Sequence, residues 1–426
     1  MRKRLVTLLS IGIASGCCFS CSEEKARKEI PTVEIGAAMA TAGEFGISEI
    51  AERLAFVALE TTDRSLVGNY PDVAVWGDRI IVSSQHQPLM VFDRKDGRFL
   101  NTVGHFGDDP EGCGSDSGII PFWIDRTNGT VYLRALGNID LLRYDLDGNF
   151  LGRITPDVGL PEKSTLNFWF FLPSNDMVTA HNPLSMSESD RSLARFDGTD
   201  GHLLDTIAHA APPLPPMSEV VSLSVMYGGQ EPFGGAWLLQ FEYRDDKAYW
   251  LAIGAPSLWM HDGRQYLKEA FVDTVYTVGK NSLAPRLALD MGEWRWPFEQ
   301  RFDRAGSGKR ISVDYMLENE NLIYFHFHTG LYEAREEQQS HCGYFDKRSG
   351  TTQVMKGDRI ADDICHFLPL SIRRVSPSGE FISLIQAADI AEWREKEKNA
   401  STPAHPAIRP VLDVDSEDNP VVVFIK

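Results

Sequence analysis

The sequence predicts an all-β fold made of repeated, four-stranded units, on three observations: a hairpin that recurs, a constant distance between its copies, and an export signal ahead of them. Residues 142–154, Leu-Arg-Tyr-Asp-Leu-Asp-Gly-Asn-Phe-Leu-Gly-Arg-Ile, read as a strand, a tight turn at Asp147-Gly148 and a second strand. Gly148 supplies the positive φ such a turn demands, and the flanking apolar residues alternate or cluster as in half-buried strands. The same hairpin returns at Phe92-Asp93-Arg94-Lys95-Asp96-Gly97 and at Phe196-Asp197-Gly198-Thr199-Asp200-Gly201, so its aromatic falls at 92, 144 and 196, 52 residues apart each time. A period close to four short strands plus loops is the signature of a β-propeller. Short helical insertions and an N-terminal lipoprotein tether are expected to accompany the repeat.

Taken in order, Arg2, Lys3 and Arg4 precede an apolar core over 5–14 that is too short to span a bilayer, and small residues lead into cysteines. Residues 1–20 are therefore expected to be a lipoprotein signal peptide. Cys21, followed by Ser22-Glu23-Glu24, is the expected lipidated residue, with Cys17 after Ala14-Ser15-Gly16 as the rival. The chain carries a net charge of −18, and removal of residues 1–20 leaves 39 basic and 60 acidic residues, a net −21. Such a surface repels polyanions and argues against nucleic acid as a partner. Residues 21–46 lack a sustained period and read as a flexible tether with one strand near Thr32-Val33-Glu34-Ile35. Residues 47–426 read as a single domain, because a blade cannot bury its faces alone.

Within that domain, apolar residues at 47, 50, 51 and 54 after Ser48 suggest one or two helical turns, and 55–59 a strand. Leu59-Glu60-Thr61-Thr62, Ser65-Leu66-Val67-Gly68 and the hairpin at Phe92 resemble the opening of the six-bladed β-propeller lipoproteins of Bacteroidota. Asp273-Thr274-Val275-Tyr276-Thr277-Val278 with Pro285-Arg286-Leu287-Ala288-Leu289-Asp290-Met291-Gly292 is similar to that family's mid-chain hairpin, and Asp418-Asn419-Pro420-Val421-Val422-Val423 to its closing strand. The resemblance implies an exported, six-bladed propeller without a common assigned activity. Gly107-Asp108-Asp109-Pro110-Glu111-Gly112-Cys113 keeps only the outline of the family's loop at this point. Blades are expected over about 70–106, 119–156, 165–208, 218–291, 310–357 and 366–426. The Pro-rich 211–216 and residues 292–309 read as surface loops, and 387–398 as a short amphipathic helix. The strand at 55–59 is expected to complete the last blade by closing on 421–425, which removes a free edge.

Chemistry-bearing patterns are sparse. His326 and His328 share one face of a strand and are candidate ligand-binding residues, but no third ligand follows from spacing, so no metal site is assigned and blade packing or a polar tunnel lining is the favoured reading. Trp294 and Trp296 flank Arg295 and are candidates for stacking on a sugar or peptide, against core packing as the alternative. Asp93, Asp145, Asp147 and Asp197 are read as turn residues rather than calcium ligands. Cys113, Cys342 and Cys365 are an odd number for an oxidising compartment, and Cys342 with Cys365 is the candidate disulfide. No catalytic residue and no cofactor is assigned, since no phosphate loop, nucleophile elbow or His-Glu-x-x-His string occurs. The expected function is that of a cell-surface, outer-membrane lipoprotein that binds a glycan, a peptide or a partner protein. The alternative is a carbohydrate-active enzyme, a hydrolase or lyase, working at the central axis.

Overall fold

The computed structural model describes residues 30–426 apart from 117, 136–139, 158–168, 184–192, 209–211, 213, 227–236, 254–255, 335 and 398–403. The expected signal peptide, Cys17, Cys21 and the first part of the expected tether lie outside the described residues.

Short strands separated by turn residues pair with their sequence neighbours, and this produces seven sheets among the described residues. In chain order they are sheet I (72–103), II (122–154), III (170–207), IV (220–253), V (258–289), VI (311–356) and VII (374–425). Sheets I, II, III and VI are four-stranded meanders, and sheet IV has three strands. Sheet VII gains a fourth strand from far upstream: Leu54–Ala58 lies antiparallel to Val421–Ile425, with Phe56 opposite Val423. The expected closure is thus present, and Val421–Ile425, covered on both faces, is buried throughout as its unbroken apolar run requires. The first strands of sheets I, II, III, V, VI and VII surround one cavity, a propeller-like arrangement.

The repeated hairpins follow from turn chemistry. Asp93, Asp145 and Asp197 each present Oδ1 to the backbone N–H two residues on, at 2.8, 3.0 and 2.7 Å. Gly97, Gly148 and Gly201 close the turns at φ of 74°, 87° and 81°. A fourth copy, Phe345-Asp346 to Gly350, repeats the bond from Arg348 N to Asp346 Oδ1 at 2.7 Å and the positive φ of 73°. It escaped the sequence reading because the insertion of sheet IV throws it off the 52-residue spacing.

That insertion also corrects the expected fourth blade. The three strands within 220–253 form a sheet of their own, joined to the segment after sheet V by a bridge between Lys247 and Asp303, while sheet V builds its own four strands from 258 onward and adds Thr32–Val33 in parallel on its outer edge. Phe241, Tyr249 and Trp250 of sheet IV pack with Phe271, Trp296 and Leu331 from the loops of sheets V and VI, so its apolar side is buried against the rim of the ring. The segment 292–309, expected as a surface loop carrying Trp294 and Trp296, supplies part of this core. Trp296 is 3% exposed, meets Phe271 edge-on at 5.1 Å and donates from Nε1 to Gln300 O at 3.0 Å. Trp294 is half-buried against the core shared by sheets V and VI. Core packing therefore won over exposure, since an indole offers too much apolar surface to leave wet where a neighbouring sheet can cover it.

From residue 30 on, the segment expected as tether is packed as well. Helix α1 (Ile35–Ala40) buries Ile35 and Ala38, and a Cβ on Gly36 would meet the Met291 backbone at 2.3 Å. Gly36 N donates to Asp290 O, Gly43 N to Val354 O, and Ser48 Oγ to Asp363 Oδ2 at 2.5 Å. Residues 30–58 thus form a belt across sheets V, VI and VII. Ser48 serves the belt, and only a single turn, Ile47–Glu49, is helical there. Helix α2 (Ala387–Glu397) forms where expected and buries Ile390, with Trp393 edge-on to Phe367 at 4.7 Å. The expected Cys342–Cys365 bridge is absent. Both thiols lie in the core of sheets VI and VII and, like Cys113, are free and buried. Cys342 sits mid-strand opposite His326 and Met355, whereas Cys365 is fixed in a turn by its N–H to Asp362 Oδ1 at 2.7 Å.

Candidate functional site

The first strands of the propeller-like sheets leave an axial cavity of ≈ 450 Å³. Its wall is largely aromatic and aliphatic, with Trp76, Phe122, Trp123, Trp169 and Trp259 among the lining side chains. Charged groups are few and placed at its two ends. At the end where the first strands finish, Arg126, in the turn after Phe122–Ile124, donates Nη1 to Met260 O of sheet V and Nη2 to Val375 O of sheet VII, both at 3.3 Å. One guanidinium thus ties three sheets across the axis. Burial lowers its pKa, and a guanidinium keeps its charge in proteins.

At the opposite end, where the first strands begin, polar groups cluster beneath Trp250 and Leu251 of sheet IV. Arg374 pairs with Asp72 between sheets VII and I. His181 shares a 2.7 Å hydrogen bond between Nδ1 and Ser257 Oγ, with Glu269 4.0 Å from Nε2. Lys268 is 7% exposed and donates from Nζ to Glu269 O at 2.6 Å. Burial pulls the Lys268 ammonium down to about 8, although Asp273, Glu269 and Asp314 oppose the shift. Asp314 Oδ2 lies 2.8 Å from His326 Nδ1 and 2.6 Å from His328 Nδ1. Burial alone would raise this carboxyl, but the two imidazoles more than offset that and hold it at about 2.

Of the expected site residues, His326 and His328 are brought together behind the cavity wall at 0% and 2% exposure, while Trp294 and Trp296 are placed in and against core away from it. Arg126, Lys268 and Asp314 were not singled out from sequence. A signal existed for Asp314, an acid within the otherwise strand-like Ile311-Ser312-Val313-Asp314-Tyr315. For Arg126 and Lys268 the lining role depends on contacts with remote sheets and leaves no local string. Between sheets V and VI, Glu318 takes hydrogen bonds from Trp259 Nε1 at 2.8 Å and Arg286 Nη1 at 2.7 Å, and Lys347 Nζ lies 2.6 Å away. These contacts hold adjacent sheets at a fixed angle around the cavity.

The arrangement suits an apolar or aromatic body with an anionic end: a lining with four cations, Arg126, Arg134, Lys268 and Arg374, against two carboxylates, Asp72 and Asp314, inside a chain of net charge −18.

The crystal structure of a protein of Bacteroides fragilis NCTC 9343 named as exported is similar over 93% of this chain and 99% of its own, at 14% identity and a TM-score of 0.61. A member of the DUF4221 family from Bacteroides vulgatus ATCC 8482 matches over 88% of this chain and 96% of its own, at 9% identity and a TM-score of 0.39. A virginiamycin B lyase from Staphylococcus aureus matches over 88% and 100%, at 9% identity and 0.36. No curated protein matches the chain. A family model, domain of unknown function DUF4934, matches residues 30–426.

Proposed function

The chain belongs to the DUF4934 family, and from that premise we propose that it is an exported, lipid-anchored six-bladed propeller that binds a small amphipathic ligand in its axial cavity without transforming it. Sheet IV is then an insertion that covers the axis rather than a seventh blade. The observation that carries this reading is the cavity itself, an aromatic wall with cations at both ends in an acidic chain. The occupant is a short peptide, an aryl glycan or a comparable molecule with an apolar body and an anionic group, held at the cell surface by acylation of Cys21. A carbohydrate-active enzyme would need two carboxylates free to face one glycosidic bond. Here Asp72 is engaged by Arg374, and Asp314 by His326 and His328.

Titration of the mature chain with the aromatic anion 1-anilinonaphthalene-8-sulfonate tests it. One saturable equivalent is expected in the native state, weakened roughly fivefold by Trp123→Ala, the worth of one aromatic contact, and weakened again by Lys268→Met. Absence of saturable binding, or affinity indifferent to both substitutions, would refute the axial site. Turnover of a polysaccharide or peptide by the pure chain would refute the non-catalytic reading.

A further inference from the structure

The strand carrying Asp314 is irregular at that residue. Val313 is opposite Phe327 and Tyr315 opposite His326, so Asp314 is the extra residue of a β-bulge. A bulge gives up ladder pairing and can re-aim a side chain, and bulges are over-represented at sheet edges, barrel rims and next to active sites. The neighbouring strand carries His326 and His328 on one face. The bulge turns the Asp314 carboxylate onto both, and one ligand atom from each of the three lies within 4.8 Å of the other two. The imidazoles are 5.1 Å apart at 67°, so they converge rather than stack on each other. Tyr315 lies flat on His326 at 5.3 Å and 5°, which fixes that ring. Side-chain exposure of the three is at most 3%. Asp314 also lines the axial cavity, so an ion at the point of convergence would have protein on one side and the cavity on the other.

We propose that Asp314, His326 and His328 bind a divalent first-row transition ion, zinc by preference, with its remaining coordination directed at the axial cavity. Two imidazole nitrogens and one carboxylate are the donor set of such ions, whereas calcium and magnesium demand oxygen. Binding requires each Nδ1 that now faces Asp314 to turn its lone pair to the ion, so the ion takes over a position already organised by hydrogen bonds. The other grouping of this kind among the described residues, Asp197, Asp200 and His202, differs in character. It lies on an exposed hairpin turn, and its Asp197 carboxylate is used by the Thr199 backbone and hydroxyl.

The test is titration of the chelator-stripped mature chain with cobalt(II) and then zinc(II). One equivalent of cobalt is expected to produce visible d–d bands that zinc abolishes, and zinc is expected to raise the unfolding midpoint. Asp314→Asn and His328→Asn should each weaken zinc binding by more than about 100-fold, the upper range for loss of a mere supporting partner. His328→Asn keeps a side-chain N–H for Asp314 and so serves as the folded control should Asp314→Asn fail to fold. His202→Gln should leave the titration unchanged. No stoichiometric cobalt bands in the folded wild type, bands that survive His328→Asn, or bands lost only in His202→Gln would each overturn the assignment. Because the titration contains no organic ligand, its failure leaves the axial-ligand reading standing, and the reverse also holds.

Discussion

Lys268 is the residue at which the interior has sacrificed stability for a charge. Its ammonium titrates at about 8 in the folded chain, against an ordinary value of 10.5. Between those values the unfolded chain binds more protons, so folding stability rises with pH from about 8 to 10.5 and the full cost of burial is present below 8. Lys268→Met should therefore stabilise the chain by about 2–3 kcal/mol at pH 7, a gain that urea unfolding repeated at pH 10 should find mostly gone. An equal gain at both values would mean that packing rather than charge is responsible. The cysteines lead to a second expectation at this scale. Burial pushes the Cys113 and Cys365 thiols up to about 11 and Cys342 further still, so none is a ready nucleophile. Iodoacetamide at pH 8 should leave all three unmodified in the native chain and alkylate all three in urea. Recovery of a Cys342–Cys365 peptide without reductant would contradict the structure.

At the scale of elements, what could be read from sequence was what depends on near neighbours. The Asp-to-Gly turns, helix α2 and the closing strand each rest on residues a few positions apart or on an unbroken apolar run, and each stands where expected. Trp296 shows the opposite case, because its burial depends on Phe241, Tyr249 and Trp250 of sheet IV, more than 40 residues upstream. Trp296→Ala should accordingly cost about 3–5 kcal/mol in chemical unfolding, and Trp294→Ala distinctly less. If Trp296→Ala left stability intact while abolishing binding, the recognition role expected from sequence would be restored. A mature chain lacking residues 30–58 loses the strand opposite Val421–Ile425 and exposes a long apolar edge. It should aggregate rather than fold, and light scattering after refolding measures this.

For the whole molecule, the 52-residue spacing disclosed the repeat and its all-β class, while the site remained hidden because its lining is shared among all seven sheets, a few residues from each. No string of sequence holds Arg126, Lys268 and Asp314 together; only the ring does. Arg126 has a kinetic consequence. It ties sheets II, V and VII across one end of the axis, while Trp250 and Leu251 of sheet IV line the other end, which on the proposed reading is the mouth through which the ligand passes. A substitution in sheet IV that widens that mouth without touching the occupant should then speed arrival and departure by the same factor. Residence time and half-time of loading would both shorten in stopped-flow traces, while the equilibrium affinity stayed where it was.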